Sequence, residues 1–445
     1  MGGTSERPKR VAVFGHFGTT NFGNESTLSA LLYHVRRLLP DAQLTCICTN
    51  PEAVASAHFV EALPISSNLL LSWVPRRRWA KLLRKLCVGI PSEPYRWVKA
   101  CQALKGADLL VVPGTNLLTD IDGLLGYGPY NLFRWSLTAR MRRCQVVFLS
   151  VGAGPIHGVL GRLLVRAALS TARSRSYRDR STKEYLAGIG FRVEGDPVVP
   201  DLAFSLPEVD IPREGRLPER RKTVGLGLMA DPWKYTTLEP AADAGVTYLE
   251  SLVRTAEWFL GRGYDVRLLI GDRWDASAVQ EFRRRLQANA TEQTDGRIIE
   301  TPLYSVQGLM SEIAATDIVV ATRFHNVLFA LLCDKPTIAV SFHHKCESLM
   351  RSMGLSDYCV DLDGVQADLL ISTALKLEEH ADEVKALIEE RTRHYREELD
   401  GHYERVFGNR TRPASPEVDA PPVRDVTVGR TGAPAAVSVA PAEVD

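Results

Sequence analysis

Arg323, His325 and Lys345 are the residues whose types and spacing best suit chemistry on a small anion. Arg323 and His325 lie two positions apart in a polar turn, and Lys345 follows the next apolar run together with His343 and His344. Arginine and lysine bind carboxylate or phosphate through charge-assisted hydrogen bonds. A histidine whose pKa is about 6.5 can donate a proton near neutral pH. These residues therefore predict a site that binds an anionic substrate and transfers a proton to it.

Two predicted strands must present these side chains on one edge of a sheet. Residues 317–320 have the composition of a buried parallel strand, residues 327–332 form a helical apolar stripe, and residues 337–340 predict the next strand. In open α/β sheets, ligands bind in the crevice outside the carboxyl ends of the strands. We therefore expect the side chains that follow both strands to share one crevice.

A second candidate anion site lies near the N-terminus, where a strand, a glycine-rich turn and a helix follow one another. Residues 10–14 predict the strand, and a helical apolar stripe follows the turn until Pro40. Glycines let the backbone approach a ligand closely, and the N–H groups at a helix N-terminus attract anions. The binding candidates in this region are His16, Gly18, Asn21 and Glu25.

Polar residues also follow three other predicted strands. These further candidates are Thr115, Asn116, Arg178, Asp179, Asp272 and Arg273, of which the last two are secondary. The Arg178–Asp179 pair has two interpretations: an internal salt bridge, or a ligand-binding arginine that Asp179 holds in place. We predict that Ser181 caps the helix that follows, around residues 183–186.

The composition is that of an ordinary globular protein. A chain of 445 residues predicts two or three domains, and a formal net charge of +1 argues against a nucleic-acid partner. The spacing of Cys46 and Cys48 suits neither a zinc site nor a redox motif, which favours a reducing compartment. No signal peptide is visible, and no apolar run reaches the roughly 18 residues of a membrane span. These features predict a soluble, cytoplasmic protein.

Both halves of the chain alternate β-like apolar runs with helical stripes. This alternation predicts an α/β protein with two Rossmann-like, doubly wound parallel-sheet domains that face a cleft. A segment rich in Pro, Glu and Arg marks the boundary between them. The predicted organisation is an N-terminal tail (1–9), a first domain (10–205), a linker (206–222), a second domain (223–375), C-terminal helices (376–407) and a disordered tail (408–445).

A basic segment that contains tryptophan, residues 75–90, has two interpretations. In the first, its apolar stripe packs on the sheet and its charged side faces solvent. In the second, it makes a peripheral contact with an anionic membrane or with a lipid-linked acceptor. The sequence leaves open whether the chain forms a homo-oligomer.

A metal site is the lesser alternative for the histidines of the C-terminal stretch. His325, His343 and His344 lack carboxylates at a recognisable metal-binding spacing. We therefore expect neither a metal nor another cofactor.

Several short motifs, taken in order, resemble those of the polysaccharide pyruvyltransferase family. The matching positions are Gly15, Gly18, Asn21, Gly23 and Glu25, then Gly152–Pro155, Arg178 with Asp179, residues 201–204, and finally Arg323, His325 and Lys345. The positions that depart from the family pattern are Asn24, Pro113, Thr115, His343 and His344. The resemblance extends over about three quarters of the chain, and its specificity lies in the order of the motifs.

The resemblance implies an architecture similar to that of B-type glycosyltransferases and a definite reaction. In that reaction, pyruvate is transferred from phosphoenolpyruvate to a pair of hydroxyls as a cyclic ketal. The acceptor is a sugar, a lipid-linked saccharide or another metabolite that carries hydroxyls. The roles that follow are donor binding by Arg178, Arg323 and Lys345, support by Asp179, proton transfer by His325, and further substrate contacts from His16, Thr115, Asn116, His343 and His344.

Two other functions remain open at this stage. A B-type glycosyltransferase would use a nucleotide-sugar donor, and it would need a carboxylate placed for the donor ribose. A non-catalytic carbohydrate-binding protein would have kept the fold alone. Four polar residues at strand ends, Arg178, Arg323, His325 and Lys345, favour an enzyme over such a scaffold.

Overall fold

The structure, a computed structural model, describes residues 7–66, 92–115, 117–120, 128–212, 221–232, 244–289, 296–342 and 344–408. These residues form two parallel β-sheets of six strands each, with helices between successive strands. The basic segment 75–90 and residues 409–445 lie outside the described residues, so the predictions for a peripheral contact and for a disordered tail stay predictions.

The first sheet has the strand order β3-β2-β1-β4-β5-β6, and every pairing is parallel. Its strands are β1 (Arg10–Phe14), β2 (Gln43–Cys48), β3 (Glu61–Pro64), β4 (Leu109–Pro113), β5 (Gln145–Val151) and β6 (Ala172–Tyr177). Its helices are α1 (Phe22–Leu38), α2 (Pro51–His58), α3 (Ser92–Ala103), α4 (Pro129–Met141), α5 (Val159–Ser170) and α6 (Arg180–Gly188).

The second sheet has the order β12-β11-β10-β7-β8-β9 and is also parallel throughout. Its strands are β7 (Thr223–Leu228), β8 (Asp265–Ile270), β9 (Ile298–Glu300), β10 (Ile318–Ala321), β11 (Thr337–Ser341) and β12 (Cys359–Asp361). Its helices are α7 (Ala244–Gly261), α8 (Ala276–Asn289), α9 (Val306–Ala314), α10 (Phe324–Leu332), α11 (His344–Ser352) and α12 (Ala367–Glu379), followed by α13 (Ala381–Phe407).

The two sheets repeat one topology, because each begins in its middle, adds two strands on one side and then three on the other. This is the doubly wound order, so the predicted fold class is confirmed. The order reverses between β1 and β4 in the first sheet and between β7 and β10 in the second. Ligands of such sheets bind beside these switch points, at the carboxyl ends of the strands.

The central strands of the second sheet are buried along their whole length. Every residue of β7, β10 and β11 is buried. A parallel sheet carries helices on both faces, so its strands need continuous apolar side chains rather than an alternating pattern. This is why residues 317–320 and 337–340 were recognisable as strands in the sequence.

Helix α13 returns from the second domain to the first. It has 27 residues, and His380 separates it from α12. The ring of Tyr403 stacks on His34 of α1 at a centroid distance of 4.1 Å, and Arg37 Nη2 lies 2.7 Å from Asp400 Oδ1. Among the described residues, no helix combines the length and the apolar character that crossing a bilayer requires.

Candidate active site

The candidate active site lies between the carboxyl edges of the two sheets. Arg178 follows β6 of the first sheet, and His325 and Lys345 follow β10 and β11 of the second. The charge of Arg178 acts on both His325 and Lys345, and its guanidinium carbon lies 4.9 Å from the ring centroid of Phe324. The fold therefore brings together three candidates that are far apart in the sequence.

Arg178 is almost fully buried and makes its closest ion pair with Asp201. Its Nη1 lies 3.1 Å from Asp201 Oδ2, whereas its Nε lies 3.7 Å from Asp179 Oδ2. A Cβ at Gly152 would lie only 2.8 Å from Arg178 Nη2, so the glycine makes room for the guanidinium. Arg178 thus forms an internal ion pair chiefly with Asp201, a residue that was not among the predicted binding residues.

Asp179 is the N-cap of α6. Its carboxylate accepts a hydrogen bond of 2.6 Å from Thr182 N, so the prediction that Ser181 caps this helix was wrong. Ser181 instead lies 2.9 Å from Ser348 of α11, across the cleft. Burial raises the pKa of Asp179, but Arg178 and the bonds from Thr182 lower it more, so the net pKa is below its usual value. The carboxylate therefore carries a charge at neutral pH.

His325 lies against the N-terminus of α1 of the opposite domain. A Cβ at Gly23 would fall between 2.0 and 2.3 Å from three atoms of the imidazole. Burial, reinforced by Arg178, Lys345 and Arg323, lowers the pKa of His325 to about 4, although Asp201 opposes this. The imidazole is therefore neutral at pH 7, and its pKa lies below the unperturbed value of about 6.5.

Lys345 is the site cation whose charge depends on pH in the neutral range. Burial, together with the positive charge of Arg178, lowers its pKa to about 7, while Asp179 and Asp201 act in the opposite direction. Its neighbour His344, the first residue of α11, is exposed. His343 lies outside the described residues, so its predicted substrate contact stays a prediction.

Arg323 forms a two-pronged ion pair with Asp275, a residue that the sequence analysis missed. Its Nε and Nη2 lie 2.9 and 2.7 Å from the two carboxylate oxygens, and Asp275 is fully buried. The same carboxylate accepts hydrogen bonds from Ala230 N and Asp272 N. Asp275 therefore joins the loops after β7, β8 and β10. Its position shortly after a predicted strand was the one available signal.

The polar candidates of the glycine-rich turn stabilise the turn itself. Asn21 caps α1 by accepting from Gly23 N and Asn24 N, and Glu25 accepts from Thr19 N at 3.0 Å. Gly18 has a φ of +72°, and a Cβ there would lie 2.4 Å from Asn50 O. The turn therefore contributes mainly its backbone and its shape to the cleft.

The turn also contacts the second domain. The Thr20 hydroxyl donates to Asp272 Oδ1 at 3.0 Å, and Asn21 forms a β-bridge with Asp272. Asp272, a secondary candidate, thus acts as a contact between the domains. The side chain of Arg273 lies outside the described residues, so its predicted secondary role stays a prediction.

Thr115 and His16 follow the strands β4 and β1 of the first sheet. Thr115 is buried, and its Oγ1 has no hydrogen-bond partner among the described residues. His16 Nδ1 lies 3.3 Å from Thr49 Oγ1, and Asn116 is outside the described residues. Within the described part of the chain, no group of three or more His, Cys, Asp or Glu side chains is arranged to hold a metal ion.

Solved structures share this architecture at low sequence identity. A glycosyltransferase from Rickettsia africae is 10% identical, with a TM-score of 0.57 over 91% of this chain and 100% of the other. A UDP-GlcNAc 2-epimerase from Neisseria meningitidis bound to UDP-GlcNAc is 11% identical, with a TM-score of 0.54 over 85% and 94%. HepE of Anabaena in complex with UDP-glucose is 12% identical, with a TM-score of 0.54 over 89% and 98%. A comparison with curated proteins found no match.

The two facing sheets, with a polar cluster between their carboxyl edges, have the architecture of B-type glycosyltransferases and of UDP-N-acetylglucosamine 2-epimerases. The family model for polysaccharide pyruvyl transferases matches residues 21–344. The chain therefore belongs to the polysaccharide pyruvyl transferase family. The match includes Asn21, Arg178 and His325, which the sequence analysis singled out.

Proposed function

We propose that this protein transfers the pyruvyl group of phosphoenolpyruvate to two hydroxyls of a sugar, a lipid-linked saccharide or a related metabolite. The products are a cyclic ketal and inorganic phosphate. The observation that carries the proposal is the convergence of Arg178, Lys345 and His325 from both sheets, in a chain of this family. A donor with a phosphate and a carboxylate suits such a cluster, because charge-assisted hydrogen bonds hold oxyanions strongly and in a defined geometry.

The reaction needs proton transfers in both directions. A proton adds to the methylene carbon of the donor and makes a methyl group, while positive charge develops at the adjacent carbon. An acceptor hydroxyl attacks that carbon, the bond to the phosphate oxygen breaks, and a second hydroxyl closes the ketal. Of the two hydroxyl protons released, one balances the proton on the methyl group and the other leaves with phosphate. The protein has to hold the donor and place one proton-transfer group beside it.

His325 is the proton-transfer group in this proposal. Its imidazole is neutral at pH 7, because burial and three cations keep its pKa at about 4. A bound donor adds negative charge beside it, and a nearby negative charge favours the protonated form. Donor binding would therefore convert His325 into an acid at the moment when an acid is needed.

Both the position of Arg178 and its remaining hydrogen-bonding capacity support a role in donor binding. Its Nε has no hydrogen-bond partner among the described residues, and a guanidinium carries five N–H donors. The pairs with Asp201 and Asp179 hold the planar group in one orientation. Arg323, which follows β10 two positions before His325, is proposed as a second donor-binding residue.

Titration of the purified protein with phosphoenolpyruvate tests the donor. We expect the donor to raise the thermal midpoint, because a ligand that binds only the folded state stabilises it by mass action. Arg178→Ala should lose this response, whereas Arg180→Ala, at an exposed neighbouring position, should keep it. Uridine and guanosine diphosphates serve as the comparison. A response to a nucleotide alone would replace the proposal with a glycosyltransferase function.

The affinity for the donor should fall as the pH rises above about 7. Lys345 is largely uncharged above its pKa of about 7, so donor binding must then be accompanied by proton uptake. The expected loss approaches about tenfold per pH unit. The phosphate of the donor, whose second pKa is about 6, stays fully ionised in this range. Calorimetry from about pH 7 to about pH 9 measures the slope. An unchanged slope in Lys345→Met would contradict the assignment.

A further inference from the structure

We propose that His402 of α13 is a positioning residue for the Arg178–Asp201 pair. It acts through a chain of buried hydrogen bonds that crosses β6 and β5. The consequence for donor binding rests on the proposed function, whereas the placement of the pair does not. The proposal rests on the distances of these hydrogen bonds and on the backbone conformation that they stabilise.

The chain begins at the imidazole of His402 and ends at the peptide before Asp201. His402 Nε2 lies 3.0 Å from Ser176 Oγ, and that oxygen accepts a hydrogen bond of 2.8 Å from Ser150 N. The Ser150 hydroxyl in turn lies 2.8 Å from Pro200 O. The next residue is Asp201, whose carboxylate pairs with Arg178. Each link is a direct contact, so a shift of His402 has a short route to the guanidinium.

The middle of this chain is a strained part of the backbone. Ser150 has a φ of +50°, in the left-handed region, at a place where the register between β5 and β6 shifts. This conformation is unfavourable for a residue that carries a side chain. The hydrogen bonds from Ser150 to Ser176 and Pro200 compensate for that cost. Arg178 N donates to Val151 O, so the strained segment also holds the backbone of Arg178.

Helix α13 holds the other end of the segment that carries Asp201. The Tyr403 hydroxyl lies 3.1 Å from Ser205 Oγ, and Arg396 Nη1 donates to Leu206 O at 3.0 Å. The segment is therefore fixed to α13 on both sides of Asp201. Because α13 starts in the second domain, it relates the position of this first-domain pair to the domain that carries His325 and Lys345.

Packing alone does not explain an imidazole at position 402. His402 is 6% exposed, and burying a polar group costs free energy unless it is hydrogen-bonded. An apolar side chain of similar size would stabilise the helix contact without that cost. A hydrogen bond to Ser176 is what histidine supplies there.

Three variants at two positions of α13 test the inference. His402→Ala removes the hydrogen bond, His402→Gln keeps an N–H at the position of Nε2, and His394→Ala is the control at an exposed site of the same helix. The first readout is the rate at which an amine reagent labels Lys345 as a function of pH, followed by mass spectrometry. Arg178, Asp179 and Asp201 all act on the pKa of Lys345, so this readout detects a movement of the pair without any ligand. The second readout is calorimetric binding of phosphoenolpyruvate.

We expect the apparent pKa of Lys345 to shift by about one in His402→Ala, because Arg178 lowers that pKa and Asp201 raises it, so a displacement of the pair changes their balance. Donor binding should weaken about tenfold. His402→Gln should restore both values, and His394→Ala should leave both unchanged. An unchanged labelling profile in His402→Ala overturns the inference, and so does a glutamine variant that behaves like alanine. If His402→Ala does not fold, Ser176→Ala removes the next link and must shift the pKa of Lys345 by a similar amount.

The same experiment separates this inference from the proposed function. Labelling that responds to His402 in a protein that binds no phosphoenolpyruvate would support the positioning role and reject the donor. If phosphoenolpyruvate binds and the labelling of Lys345 does not change in His402→Ala, the donor is supported and the positioning role is rejected.

Discussion

Replacing Gly23 by alanine is expected to lower pyruvyl transfer at least about 100-fold while the protein stays folded. The added Cβ would lie 2.0 to 2.3 Å from the imidazole of His325, so the ring must move. Alanine is a better helix former than glycine, and the first turn of α1 keeps its cap from Asn21. The loss should therefore appear in turnover, measured as phosphate released with a saccharide acceptor, rather than in the thermal midpoint.

Two comparisons make this result specific to His325. Gly188→Ala, at the end of α6, places its Cβ where no atom lies within 4 Å, and should have no effect. Adding Gly23→Ala to His325→Ala should cost nothing further, because the ring that the methyl group meets is gone. Full turnover in Gly23→Ala would show that His325 does not take part in the reaction.

Replacing Arg323 by alanine is expected to abolish donor binding and to destabilise the fold. Asp275 is fully buried and would lose both of its guanidinium bonds. Removing one partner of a buried ion pair costs about 3–5 kcal/mol, because the other charge is left uncompensated. Chemical denaturation should show this decrease in the free energy of unfolding. Arg284→Ala, which removes a pair exposed at the surface of α8, should show no measurable change.

A double variant separates the two roles of Arg323. The double variant Arg323→Met with Asp275→Asn removes both charges of this ion pair. The amide oxygen at position 275 can still accept the hydrogen bond from Ala230 N. We expect stability to recover most of the loss while donor binding stays absent. Recovered binding in this variant would mean that Arg323 only stabilises the loops and does not contact the donor.

The fold was predictable because its signals are local. Continuous apolar runs such as residues 317–320 indicate strands covered on both faces, and the helical stripe before Pro40 gave α1. The strands β3 and β12 were missed, because runs of four and three residues at the sheet edges carry little pattern. The prediction of C-terminal helices did not locate the boundary at His380, because no proline or glycine marks it.

The sequence by itself determined the two doubly wound domains and most of the polar residues at their strand ends. Residue type and position after a strand are properties of a short stretch of chain, and both could be read directly. The sequence also contains the order of motifs that indicated the family, and it predicted Arg178, His325 and Lys345 as site residues.

Only the tertiary structure decided which partners these groups have and how far their pKa values are shifted. The pairing of Arg323 with Asp275, the ion pair of Arg178 with Asp201 and the contact of His325 with Gly23 join parts of the chain that are distant in sequence. The lowered pKa values of His325 and Lys345 have the same origin. Burial and neighbouring charges cause them, and both arise only when the two domains enclose the cleft.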